Sequence, residues 1–337
     1  MNIKSFKWID LLPTASYFAL CAFILLFDFN IYIEGSTEYP QFYIMPILYS
    51  IILLIVLIVI LKYVKSKKEL NPLGSEVKYS NTIHLFIVYM AVIWVPRQFM
   101  IWRFGITYEK IPILYLIVTQ IVLIEGLMLT EFGLHRKNLL KNLLLGCLIA
   151  LIDISIMTVF NILIPVIVNG TGVLSNLGIF EISQFITFPW QLLAVGISEE
   201  LFFRGYFFTK LRKSGATFWH SAILTSFVFM IFHVPWLIEM DFSINLYLPY
   251  LIWRVINTFP FGLVCCALYE KTGSLTASIV FHGFSNSLTT FLVVNISPAF
   301  TSELIISIIT FFNLLFLVFL TPYLAKLVGF GKNNKLS

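Results

Sequence analysis

Charge is what this sequence has least of. Only 12% of its 337 residues are Asp, Glu, Lys or Arg, about half the fraction of an ordinary soluble chain. A water-facing fold could not be dissolved by so few charges, which excludes a soluble enzyme and a disordered regulator. Cysteine is scarce too. Cys21, Cys147, Cys265 and Cys266 lie in apolar runs without paired metal spacing, and two neighbouring cysteines make a poor disulfide. They read as reduced core thiols, which excludes a secreted disulfide scaffold. Long polar stretches are missing as well, so no soluble domain fits between the apolar segments. Residues 64–81 read as a solvated basic linker and Asn169-Gly170-Thr171-Gly172 as a flexible turn. No internal repeat or low-complexity tract is present. The net charge of +5 is scattered through short loops, which argues against a nucleic-acid partner.

What the chain has is apolar mass: 59% hydrophobic residues, among them 34 Phe, 15 Tyr and 7 Trp, with a mean hydropathy of +0.92. The expected fold class is all-α, a polytopic membrane helical bundle. Stretches of about 20 apolar residues are needed to span a bilayer, and ten qualify, near 10–30, 42–63, 82–102, 111–130, 139–167, 185–208, 217–236, 247–269, 275–296 and 303–325. Lys4 and Lys7 precede the first run, which lacks a small-residue cleavage site and reads as a retained helix. With the N-terminus inside, Arg103 and Lys110 fall in outer loops and Arg97, Arg204 and Arg254 within spans. The other 17 of the 22 basic residues then fall inside. This bias predicts a multi-pass cell-membrane protein with both termini cytoplasmic.

Ionisable groups inside a membrane are costly and each needs a partner or a task. Asp28 can snorkel from a helix end, Arg97 lies near a boundary, and Glu125, Asp153 and Arg254 have packing roles open to them. His84, His135 and His220 lie near helix ends. Five others are denser. The sixth span reads Gly196-Ile-Ser-Glu199-Glu200-Leu-Phe-Phe-Arg204, where Glu200 and Arg204 are one turn apart and free to ion-pair. Glu199 is rotated about 100° away. The alternative is that all three merely close a helix end. The seventh span carries Phe229-Met-Ile-Phe-His233 and the ninth His282-Gly-Phe-Ser-Asn286, each with its outer pair on one face. A lone histidine in an apolar helix is more often a packing residue. Here, however, a turn at Gly215 sets Glu199 sixteen residues before it and His233 eighteen after it, so a hairpin brings them to similar depth.

A carboxylate and an imidazole around one water can deprotonate it for attack on a carbonyl carbon. His282 and Asn286 can donate to the oxyanion that forms. The reaction class this suits is amide hydrolysis by an activated water.

Glu-Glu-x-x-x-Arg at 199–204, Phe-x-x-x-His at 229–233 and His-x-x-x-Asn at 282–286 resemble, in that order, the three signature motifs of the CAAX-protease and bacteriocin-processing (CPBP or Abi) family, which includes the Ras-converting prenyl-protein endopeptidases. The resemblance covers about residues 180–300. It implies catalytic roles for Glu199, His233, His282 and Asn286: Glu199 as base, His233 as its helper in activating water, and His282 with Asn286 at the oxyanion. Glu200, Arg204 and Phe229 are implied as supporting residues. The usual endopeptidases of this type have eight spans. Residues 1–80 are therefore expected as accessory helices and linker, and 81–337 as the bundle with the catalytic core.

Family members are commonly described as metalloproteases. If a metal is held, Glu199, His233 and His282 are the available set for zinc. Yet there is no His-Glu-x-x-His pair on one helix and Asn is a poor zinc ligand, so the expectation is no cofactor. The expected partners are membrane lipids and a small peptide or lipid-associated protein as substrate, either CAAX-type or a bacteriocin or pheromone precursor. The sequence leaves the oligomeric state open. A non-catalytic bacteriocin-immunity or scaffold protein is the competing reading, and a transporter a further one.

Overall fold

The computed structural model describes residues 79–104, 128–179, 188–234, 251–294 and 300–331, with positions 10, 12–17, 19, 55, 114, 115 and 118. The predicted spans at 10–30, 42–63 and 111–130 lie largely outside the described residues, as do Asp28, Glu125 and the 64–81 linker. The described chain is predominantly helical. In order it runs α1 (Tyr79–Phe104), a 3-10 turn (Leu129–Phe132), α2 (Leu139–Asn169), a second 3-10 turn (Thr171–Asn176), β1 (Leu177–Ile179) and α3 (residues 188–213). There follow α4 (Phe218–His233), α5 (Leu251–Thr272), α6 (Thr276–Ser287), β2 (Leu292–Val294) and α7 (Phe300–Leu327). Among the described residues three helices are long and apolar enough to cross a membrane, Leu139–Asn169, Leu251–Thr272 and Thr301–Leu327; Phe218–His233 and Thr82–Ala91 are shorter apolar helices.

The centre of the molecule is α3. From Ala194 to Leu211 almost every side chain of α3 is buried, the charged Glu199, Glu200 and Arg204 among them. Phe86 of α1 stacks on Phe207 with ring centres 3.6 Å apart. The α3–α4 hairpin turns at Ser214–Gly215, where Gly215 takes the left-handed φ of 89°. Its two arms pair Phe208 with Phe218 and Phe203 with Phe229, at 6.2 and 4.9 Å between rings. This antiparallel register carries on to Glu199 and His233 at one level, as the spacing about Gly215 predicts.

Small residues let the helices close up, as membrane packing requires. A Cβ on Gly146 of α2 would stand 2.6 Å from the Ala277 carbonyl of α6, and one on Gly283 of α6 would stand 2.9 Å from Leu192 of α3. Polar links bridge the longer distances. Asn313 Nδ2 of α7 donates to Asp153 Oδ1 of α2 at 2.6 Å, a cross-helix packing role for that buried carboxyl. Arg212 forks onto Glu270 at 2.9 and 3.1 Å, tying the end of α3 to α5.

Two expectations need correcting. The predicted ninth span, 275–296, is not one helix: α6 stops at Ser287, and residues 292–294 form a strand. The Thr-Thr-Phe-Leu-Val-Val run is as apolar as a helix but built from strand-forming residues. The stretch after Asn169, expected as a flexible turn, is instead a 3-10 turn leading into β1. The two strands pair antiparallel, Leu177 opposite Val294 and Ile179 opposite Leu292. Thr158 Oγ1 anchors this ribbon to α2 by accepting from the Phe291 amide at 2.8 Å and the Thr290 hydroxyl at 3.1 Å.

Candidate active site

The site is built where α3, α4 and α6 meet. Within α3 the short α-helical piece Ile197–Glu200 lies between two π-helical stretches, Gln191–Gly196 and Leu201–Phe208. Such wide turns are rare and concentrate at functional sites; here they flank the two glutamates. Ser198 Oγ donates to the Ala194 carbonyl at 2.6 Å, satisfying one carbonyl in this loosened ladder. Glu199, Glu200 and Arg204 are all fully buried.

Arg204 Nη1 donates to Glu200 Oε1 at 2.8 Å, the ion pair expected from their spacing. The guanidinium also lies over the Phe229 ring, 4.4 Å from its centre, a cation–π contact that gives the first residue of the second motif a structural task. His282 arrives from α6. Its Nδ1 donates to the same Glu200 Oε1 at 2.9 Å, while Nε2 stands 3.7 Å from Glu199 Oε2. The two carboxylates, rotated apart along α3, thus flank one imidazole. Phe261 packs edge-on against that ring at 4.9 Å.

His233 lies half-buried at the end of α4, with Nδ1 donating to the Phe229 carbonyl at 2.8 Å. A carbonyl only accepts, so Nδ1 carries a proton and Nε2 is the nitrogen left for chemistry. Its ring meets Phe229 at 4.7 Å, and Phe229 in turn meets His282 at 6.2 Å. Asn286 is exposed one turn beyond His282, its Nδ2 donating to Gln191 Oε1 at 3.4 Å. The structure therefore gathers Glu199, Glu200, Arg204, Phe229 and His282 in direct contact, with His233 against Phe229 and Asn286 at the open rim.

Residues 181–288 match the family model of type II CAAX prenyl endopeptidases, Rce1-like. This Rce1-like segment begins just before α3 and ends with α6, so it holds all three motifs. The match supports a membrane-embedded CAAX-type protease in general terms. No curated protein and no solved structure matches the chain.

Sequence reasoning missed Gln191, Ser226, Phe261, Gly262 and the surroundings of the cysteine pair. Cys265 and Cys266 are fully buried and free. Cys265 lies beside Glu200 and Arg204, and Cys266 beside Arg204 and Ser226. The available signal was the cluster of small residues in Gly262-Leu-Val-Cys-Cys, which marks close approach without saying to what.

Of the possible zinc set, His233 and His282 each hold Nδ1 in a hydrogen bond, to the Phe229 carbonyl and to Glu200, an orientation that also suits a metal ligand. Among the described residues, however, no three His, Cys, Asp or Glu side chains are grouped closely enough to hold a metal ion.

Proposed function

We propose that this protein is an intramembrane endopeptidase that hydrolyses a peptide bond in a small peptide or a lipid-associated C-terminal segment, using a water activated by Glu199. The observation that carries this reading is the buried pair of carboxylates around His282, Glu200 paired with Arg204 and Glu199 standing 3.7 Å from the His282 Nε2. A neutralised Glu200 fixes His282 through Nδ1 and turns Nε2 toward Glu199.

In the reaction, Glu199 takes a proton from water as the oxygen attacks the carbonyl carbon. His233, through Nε2, helps to hold and orient that water. The carbonyl oxygen becomes an oxyanion, met by the Asn286 amide at the rim and by His282 Nε2 when that ring is protonated at both nitrogens. Collapse of the tetrahedral intermediate breaks the C–N bond, and the proton held by Glu199 passes to the departing amine. Low dielectric strengthens each of these contacts relative to water. The resemblance of the Rce1-like segment favours a prenylated C-terminal substrate.

The test uses the full-length protein in proteoliposomes and two quenched peptides of one sequence, one with a farnesylated cysteine three residues from its end and one unmodified. Cleavage of either, lost in Glu199→Gln at unchanged protein level, supports the reading. Preference between the peptides assigns the substrate class. Wild-type cleavage by Glu199→Gln removes Glu199 as the base, and no cleavage of either peptide by the wild type favours a binding scaffold.

A further inference from the structure

The Glu200–Arg204 pair is backed by a wall that the three motifs do not contain. Where α5 passes Arg204, a Cβ on Gly262 would stand 3.1 Å from Arg204 Nη2, 2.8 Å from Ser226 Oγ and 2.9 Å from Ser226 Cβ. One turn further, the fully buried Cys266 lies beside both Arg204 and Ser226. The Phe229 ring closes the other side at 4.4 Å. Inside this socket the guanidinium makes one strong hydrogen bond, Nη1 to Glu200. Its Nε and Nη2 meet no oxygen or nitrogen partner among the described residues.

Guanidinium position is normally set by its fork of five donors. Here one bond leaves the head free to swing about Nη1, so its orientation is set by the walls of the socket. The consequence passes down a short chain of contacts. Glu200 Oε1 is shared by Arg204 Nη1 at 2.8 Å and His282 Nδ1 at 2.9 Å. A guanidinium pushed out of its seat drags that oxygen, and with it the ring whose Nε2 faces Glu199.

We infer that Gly262 is a positioning residue of this site: its missing side chain is the notch that seats Arg204, and through Glu200 it sets the orientation of His282. Ser226 and Cys266 are the other walls of the same seat. The inference rests on the endopeptidase reading, and it adds α5, which carries none of the three motifs, to the machinery of the site.

Gly262→Ala alone would also press α4 from α5, since Ser226 is in the way. The informative variant is therefore Gly262→Ala with Ser226→Gly, which removes the two Ser226 atoms nearest the new methyl and keeps its 3.1 Å approach to Arg204 Nη2. Measured on the full-length protein in proteoliposomes with the farnesylated peptide, this variant should accumulate and melt like Ser226→Gly alone. KM should be unchanged and kcat should fall about tenfold or more, since small misplacements of catalytic groups are amplified in rate. A kcat within twofold of Ser226→Gly overturns the inference. Should the double variant fail to accumulate, Cys266→Ala reads the same seat without crowding. A severalfold lower kcat at constant KM and abundance supports positioning, and an unchanged kcat overturns it. Wild type and Glu199→Gln run alongside separate the two ideas: if the wild type does not cleave the endopeptidase reading fails, if Glu199→Gln cleaves normally its Glu199 mechanism fails, and an inactive Glu199→Gln beside a fully active Gly262 variant removes only the positioning role.

Discussion

Glu199 and Glu200 are neighbours in sequence, equally buried, and expected to fail differently. Glu199→Gln keeps the shape and loses the base, so the protein should accumulate normally and lose about 10² to 10⁴ in turnover. Glu200→Gln keeps an oxygen for both Arg204 Nη1 and His282 Nδ1 but strands the guanidinium charge. Breaking a buried pair costs about 3–5 kcal/mol, so abundance should fall together with activity. Adding Arg204→Met removes the stranded charge and should recover much of the abundance but not the turnover, because Arg204 no longer seats Glu200. Membrane abundance and peptide cleavage across the four proteins check this. A stable, inactive Glu200→Gln beside an active Glu199→Gln would exchange the two roles. Much of this site was legible in the sequence, since an i,i+4 ion pair and the hairpin spacing about Gly215 are local properties. The shared Glu200 Oε1, the Phe229 ring over Arg204 and the Gln191 contact of Asn286 were not. Each joins residues whose approach is set by how helices far apart in sequence cross.

At the scale of elements, position depends on glycines that let backbones touch. α2 and α6 meet at Gly146, where any Cβ overlaps the Ala277 carbonyl. Gly146→Val should force the helices apart at an overpacking cost of about 1–3 kcal/mol. The measurement is the melting temperature of the detergent-solubilised protein, expected to fall by several degrees. Because α6 carries His282, kcat should fall with it; a variant as stable and active as wild type would show that this crossing is not tight. The same α2 surface carries Asp153, which accepts from Asn313 of α7. Asp153→Asn preserves an acceptor oxygen and should leave abundance and cleavage unchanged. Asp153→Leu orphans the buried Asn313 amide, at about 1–3 kcal/mol, and should lower abundance without changing the kcat of the protein that remains. Loss of cleavage by a well-accumulated Asp153→Asn would enlarge the active site to α2. Hydropathy located these helices to within a few residues, as with 139–167 against Leu139–Asn169. It failed after Ser287, because a window average cannot tell a strand of Leu-Val-Val from another helical turn.

For the whole molecule, the loop count of Lys and Arg makes its own prediction. A reporter fused after Ser337 should be active only in the form that reports the cytoplasmic side; activity only on the outer side would reverse the orientation and change the parity of the span count. Orientation is a matter of where Lys and Arg fall along the chain, and the expectation of membrane residence rests on the scarcity of charge and the length of the apolar runs, because a bilayer reads hydrophobicity segment by segment. Motif chemistry belongs to the sequence too, as the types and spacings of Glu199, Glu200, Arg204, His233, His282 and Asn286 are local. Tertiary structure alone decided that one imidazole stands between both glutamates, that α6 ends at Ser287 in a ribbon with Leu177–Ile179, and that an unmarked glycine on α5 seats the arginine. These depend on differences of a few tenths of an ångström in interhelical distance, which close packing of the helices sets jointly and which no single segment encodes.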